Sequence, residues 1–118
     1  LPLSGRAVLR VDPADAPALV PLAEDLRALG FEVAAGEITA NALEQAGQHV
    51  ELVDPSERLE GTALVLAAGK GAMRLRKAAF SARIPTYTTL AGLRAGVLAI
   101  ARLKEGDLPP RHLVEVQG

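Results

Sequence analysis

Apolar positions along this chain fall into short unbroken runs and longer stretches at helical spacing, with Gly or Pro at most of the changes. Arg6 to Val11 (RAVLRV) is the first run; it ends at Asp12-Pro13 and predicts a strand. Leu19, Leu22, Ala23, Leu26 and Leu29 then recur at the spacing of one helix face. Pro17 and Pro21 press on the start of that helix. Proline is tolerated only in a first turn, so the regular part is placed after about Ala18, and Gly30 stops it.

Phe31 to Ala35 predicts a second strand, and Thr39 opens a helix with Leu43 and Ala46 facing inward. Val50 to Val53 is a third strand, closed by Asp54-Pro55, and a short polar link from Ser56 to Gly61 follows. Thr62 to Ala67 (TALVLA) has no polar alternation, as expected of a central strand buried on both faces. Gly69-Lys70-Gly71 leads into a helix from about Ala72 to Ala82. Ile84 to Tyr87 forms a fifth strand, and Thr89 caps a helix bearing Leu93, Val97 and Ile100. Leu113 to Val116 reads as a last short strand or extended tail. Alternation with short links predicts an α/β three-layer sandwich with a doubly wound, mainly parallel, five-stranded sheet. Residues 1–4 read as a linker and 5–118 as a single domain.

Composition narrows the function classes. At 118 residues and 49% hydrophobic content the chain can bury one core. A net charge of −1 and only Phe31, Phe80 and Tyr87 as aromatics argue against a nucleic-acid partner. Without cysteine there is neither a disulfide nor a thiolate nucleophile, and metal chemistry would rest on carboxylates and two distant histidines, His49 and His112. No metal site and no catalytic residue is expected. No apolar run reaches the roughly 18 to 20 residues of a membrane span, so no membrane partner is expected and a cytoplasmic location is the default.

Gly69-Lys70-Gly71 is the leading anion candidate: it joins a buried strand to a helix start and offers free N–H groups, a flexible backbone and one ammonium. An ordinary strand-to-helix turn with a solvated lysine is the preferred reading of the same residues. Arg74 and Lys77 share a face of the next helix while Arg76 points elsewhere, and a solvated basic face explains the cluster as well as a ligand does. Thr39, Thr88 and Thr89 stand at loop-to-helix transitions, where capping and anion binding are compatible. Asp12, Asp15 and Asp54 adjoin prolines or turn residues and read as caps and turns.

GRAVLRV, LGFEVAAGEITANALEQAG and RLRKAAFSARIPTYTTLAG together resemble the methylglyoxal-synthase-like domain, in the form found as the regulatory domain of the carbamoyl phosphate synthase large chain. The resemblance covers roughly Gly5 to Leu103 and rests on the order of its elements. It implies a flavodoxin-like sheet whose carboxyl edge holds a phosphate-bearing effector, with Thr39, Gly69, Lys70, Gly71, Arg76, Lys77 and Thr88 as effector or anion contacts. It further implies a parent ligase in pyrimidine and arginine biosynthesis, using ATP and a divalent metal. The implied partners are the synthetase halves of the same chain, a glutaminase small subunit, and a nucleotide or ornithine effector. The domain itself needs no cofactor.

Departures from the family pattern bear on that expectation. Where the family's second loop reads T-x-G-T, this chain has Gly36, Glu37, Ile38 and Thr39, and Glu37 repels a phosphate. Pro55 stands where a lysine is usual, and Ala67, Ala68 and Gly69 replace Asn-Thr-Thr. The pocket is therefore expected to be weakened. Two competing readings remain: a docking domain that binds no ligand, and a free-standing methylglyoxal synthase, for which the carboxylate and histidine set is missing.

Overall fold

Runs of Leu, Val and Ala without polar alternation need cover on both faces, and the computed structural model, which describes residues 3–53 and 59–106, provides it. β1 (Gly5–Arg10), β2 (Phe31–Ala35), β3 (Glu51–Leu52), β4 (Thr62–Ala67) and β5 (Thr86–Tyr87) form one sheet in the order β3-β2-β1-β4-β5. All its pairings are parallel. Ala7 lies between Val33 and Leu64, so β1 is the middle strand and β4 is flanked on both sides.

The helices are α1 (Ala16–Ala28), α2 (Glu37–Gln45), α3 (Met73–Ser81) and α4 (Leu90–Gly106). Ala7, Leu9, Val33, Leu64 and Leu66 point to the larger core with Leu19, Leu22 and Leu26 of α1, Leu43 of α2, and Leu93, Val97 and Ile100 of α4. Val8, Val65 and Ala67 face the other way, onto Leu75 and Ala79 of α3. Each fully buried leucine contributes about 1.5–3 kcal/mol of transfer free energy, so these two layers hold the sheet. The architecture is the expected three-layer α/β sandwich. The chain steps outward from β1 through β2 to β3, then returns to β4, so the direction of winding reverses between β1 and β4.

Local boundaries differ from the pattern reading where tertiary contacts decide them. A 3-10 turn at Pro13–Asp15 feeds α1, which starts at Ala16 and carries Pro21 inside it on the exposed side. The face Ala16, Leu19, Leu22, Ala23 and Leu26 is buried, and that burial outweighs the one backbone bond a proline cannot make. α2 opens on Gly36 rather than Thr39, and Ala46 is an exposed C-cap rather than a core residue. β3 and β5 keep only two ladder residues each, because each is an edge strand paired on one side. Thr89 caps α4 as expected, its Oγ1 accepting the Gly92 amide at 2.9 Å. Pro55, the Ser56 end of the polar link, Leu113 to Val116 and His112 lie outside the described residues. Among the described residues no helix is long and apolar enough to cross a membrane.

Candidate functional site

Open parallel sheets bind ligands beyond the carboxyl ends of their strands, in the crevice where the winding reverses. Here that crevice lies between the ends of β1 and β4. Arg10 closes β1, and its half-buried guanidinium crosses the gap: Nη1 donates to the Ala68 carbonyl at 2.7 Å and to Asp12 Oδ1 at 3.0 Å. The Ala68 amide donates back to the Arg10 carbonyl at 2.9 Å. From the loop after β4, the Lys70 amide donates to Asp12 Oδ2 at 3.4 Å.

The hydrogen bond from Arg10 holds the Asp12 carboxyl below the usual aspartate range, and the Lys70 amide acts in the same direction against partial desolvation. Two glycines make room for this pair. Gly69 has φ +89°, and a Cβ there would stand 2.7 Å from the Asp12 carboxyl atoms. Gly71 has φ +80°, and its Cβ would approach Arg10 Nη2 to 3.2 Å. At both places the left-handed backbone disfavours any side chain, and at Gly69 a Cβ would also displace the Asp12 carboxyl.

Thr39 is buried in the first turn of α2, with 2% of its surface exposed. Its Oγ1 donates to the Val11 carbonyl at 3.2 Å and accepts the Val11 amide at 3.3 Å. The hydroxyl thus ties α2 to the end of β1 instead of capping its own helix. Beside it, Arg10, Gly36, Glu37, Ile38 and Thr39 line a cavity of about 280 Å³. Glu37 sits exposed in the first helical turn, where a negative charge suits the helix dipole.

Of the residues singled out by sequence, Thr39, Gly69, Lys70, Gly71 and Arg76 meet at this edge of the sheet. Arg76 is half-buried and its Nε donates to the Ala67 carbonyl at 3.0 Å, so it anchors α3 on the end of β4. Lys77 is exposed on α3, and Thr88 is exposed just beyond β5. Arg10 and Asp12 are the site residues the sequence reading missed. The available signal was an arginine closing an otherwise apolar run two residues before an aspartate. His49 is exposed beside Glu44 at 3.4 Å, a surface pair of little energetic weight. Among the described residues no three His, Asp or Glu side chains converge on a metal-sized site.

No protein-family model matches the chain. Similarity to curated proteins is consistent across most of its length. It is 34% identical over 124 residues to the carbamoyl phosphate synthase large chain, C-terminal section, of Methanopyrus kandleri, a match covering 89% of this chain and 22% of that protein. It is 35% identical over 120 residues to the large chain of Acidobacterium capsulatum, covering 86% of this chain and 11% of the relative. The large chain of Ralstonia nicotianae gives 30% over 125 residues, 92% of this chain and 12% of the relative. The chain therefore spans between about a tenth and a fifth of the length of these relatives. Over most of its length the chain is thus similar to one domain-sized section of carbamoyl phosphate synthase large chains.

Proposed function

We propose that this chain is the carboxyl-terminal regulatory domain of a carbamoyl phosphate synthase large chain, and that its effector crevice is weakened by its own side chains. The supporting observation is a held cation, Arg10, at the one place where a reversing parallel sheet accepts ligands. The parent would be a cytoplasmic, ATP- and metal-dependent ligase, and this domain would hold no cofactor of its own. It would act by a coupling free energy between the crevice and distant ATP sites, with the synthetase halves as its direct partners and the glutaminase subunit reached through them. Nucleotides or ornithine are the candidate effectors.

Asp12 also favours a second reading, a docking domain with no metabolite, since an internal carboxylate already occupies Arg10. An exchange experiment separates the two. This chain would replace the matching section of the Acidobacterium capsulatum large chain, and the ATP dependence of carbamoyl phosphate formation would be followed with UMP, IMP and ornithine at millimolar concentration. A shift with any of them supports regulation; retained turnover with no shift supports docking alone. Phosphate release from dihydroxyacetone phosphate by the isolated chain would overturn both in favour of a synthase.

A further inference from the structure

We infer that Asp12 is a tethered ligand: its carboxylate takes, on Arg10 and the Lys70 amide, the position of an external oxyanion, which can enter the switch-point crevice only by displacing it. The inference deepens the regulatory reading and rests on it for the meaning of the site, though not for the chemistry tested. Asp12 receives two hydrogen bonds, from a guanidinium at 3.0 Å and from a backbone amide at 3.4 Å, the pair of donors that serve phosphate and carboxylate groups generally. The surroundings are shaped for this arrangement, because Gly69 leaves space for the carboxyl group and Gly71 leaves space for the guanidinium.

Arg10 does not depend on Asp12 for its position. Its Nη1 is also bonded to the Ala68 carbonyl at 2.7 Å, an anchor that does not involve the carboxylate and would keep the cation aimed into the gap. Asp12 is instead half-exposed, one residue beyond Val11 and followed by Pro13, and its side chain can rotate to solvent without moving the sheet. The neighbouring cavity of about 280 Å³, which Arg10 also lines, is where a displacing ligand would extend. Glu37 lines the same cavity and disfavours a ligand with further negative charge there.

The test titrates inorganic phosphate and, separately, acetate into this chain and into Asp12→Asn, following backbone amides and the arginine Nε–H by NMR. If Asp12 occupies the site nine-tenths of the time, its removal tightens phosphate binding about tenfold, since the apparent constant scales with the competent fraction. Arg10→Met in the Asp12→Asn background should abolish that gain. Equal affinity in the two proteins, or a gain that survives Arg10→Met, would overturn the inference. Should Asp12→Asn fail to fold, the unsubstituted chain still decides. Saturating phosphate must shift the Asp12 carboxyl carbon, the Arg10 Nε–H and the Lys70 amide together, and shifts elsewhere alone refute displacement. Acetate competing where phosphate binds identifies a general oxyanion site; phosphate alone identifies a phosphate site. A positive result here with no effector response in the exchanged large chain would leave the tether standing and remove the regulatory reading.

Discussion

The Thr39 hydroxyl bridges both main-chain groups of Val11, twenty-eight positions earlier, and so joins the first turn of α2 to the end of β1. Replacing it by the isosteric valine leaves a buried amide and carbonyl without that partner. Thr39→Val is expected to cost about 1–3 kcal/mol in urea unfolding, and Thr39→Ser to cost less because the hydroxyl remains. A neutral Thr39→Val would mean that neighbouring groups satisfy Val11.

Gly96 of α4 lies under Tyr87, and a Cβ there would collide with the ring, standing 2.8 Å from Cε1. Gly96→Ala should therefore destabilise by about 1–3 kcal/mol through overpacking. With the ring removed, the same change gains the helix propensity of alanine, worth about 1 kcal/mol. A thermal-melt cycle with Tyr87→Ala should show the effect change sign. An unchanged cost in both backgrounds would place the strain in the helix and not against Tyr87.

Loop geometry at Gly69 is similarly constrained. Gly69→Ala combines a left-handed backbone at φ +89° with a clash on the Asp12 carboxyl group. Left-handed strain alone is about 1–2 kcal/mol. In thermal melts, Gly69→Ala should stay costly in the Asp12→Asn background, which relieves the charge but not the crowding, whereas Asp12→Ala should recover most of the steric part. Equal costs in all three backgrounds would assign the whole effect to the backbone.

The central strands β1 and β4 were legible because they send side chains into both core layers, which leaves little polar alternation in sequence, whereas β2 carries the exposed Glu32 within its run. Edge strands β3 and β5 lack that cover, and their ends were set by ladder pairing that no local pattern encodes. Thr39 has the composition of an N-cap, yet its partner is a strand end far away in sequence. Nothing local distinguishes the two uses of one hydroxyl. The Gly69 to Gly71 loop was correctly placed at the carboxyl edge, but its nearest anion belongs to Asp12, fifty-eight positions before Lys70. Asp12 before Pro13 is an ordinary turn signature, so the long-range role stayed hidden.

Acid should act on this site in a definite direction. The folded-state pKa of Asp12 is held below its ordinary value of 3.8 chiefly by Arg10, so its contribution to stability is present above that value and is lost as pH falls through the depressed one. The Asp12 carboxyl carbon should titrate below 3.8 by NMR, and Arg10→Met should raise its midpoint. Any stability difference between this chain and Asp12→Asn should shrink in the acid range below that value. A midpoint at or above the ordinary value would show that the Arg10 hydrogen bond is not maintained in solution.

Weak binding of UMP and IMP follows from the same edge of the sheet. Gly36 stands where the family pattern has a hydroxyl, Pro55 where it has a lysine, and Ala67 and Gly69 where it has polar side chains. Deleting one hydrogen bond to a charged ligand costs about 1.5–3 kcal/mol in a well-formed site. At about 1 kcal/mol apiece, allowing for non-additivity, the four sum to about 4 kcal/mol and move a micromolar site toward the millimolar range. Asp12 on Arg10 and Glu37 beside the cavity oppose the phosphate further. Lys70 is exposed and can recover part of this affinity, but its ammonium is solvated and its own amide is directed at Asp12. Calorimetry of the two nucleotides against the isolated chain should give dissociation constants near or above about 1 mM. A constant below about 10 μM would mean that the crevice holds the nucleotide through other groups, and the Arg10→Met variant would then show whether that cation supplies them.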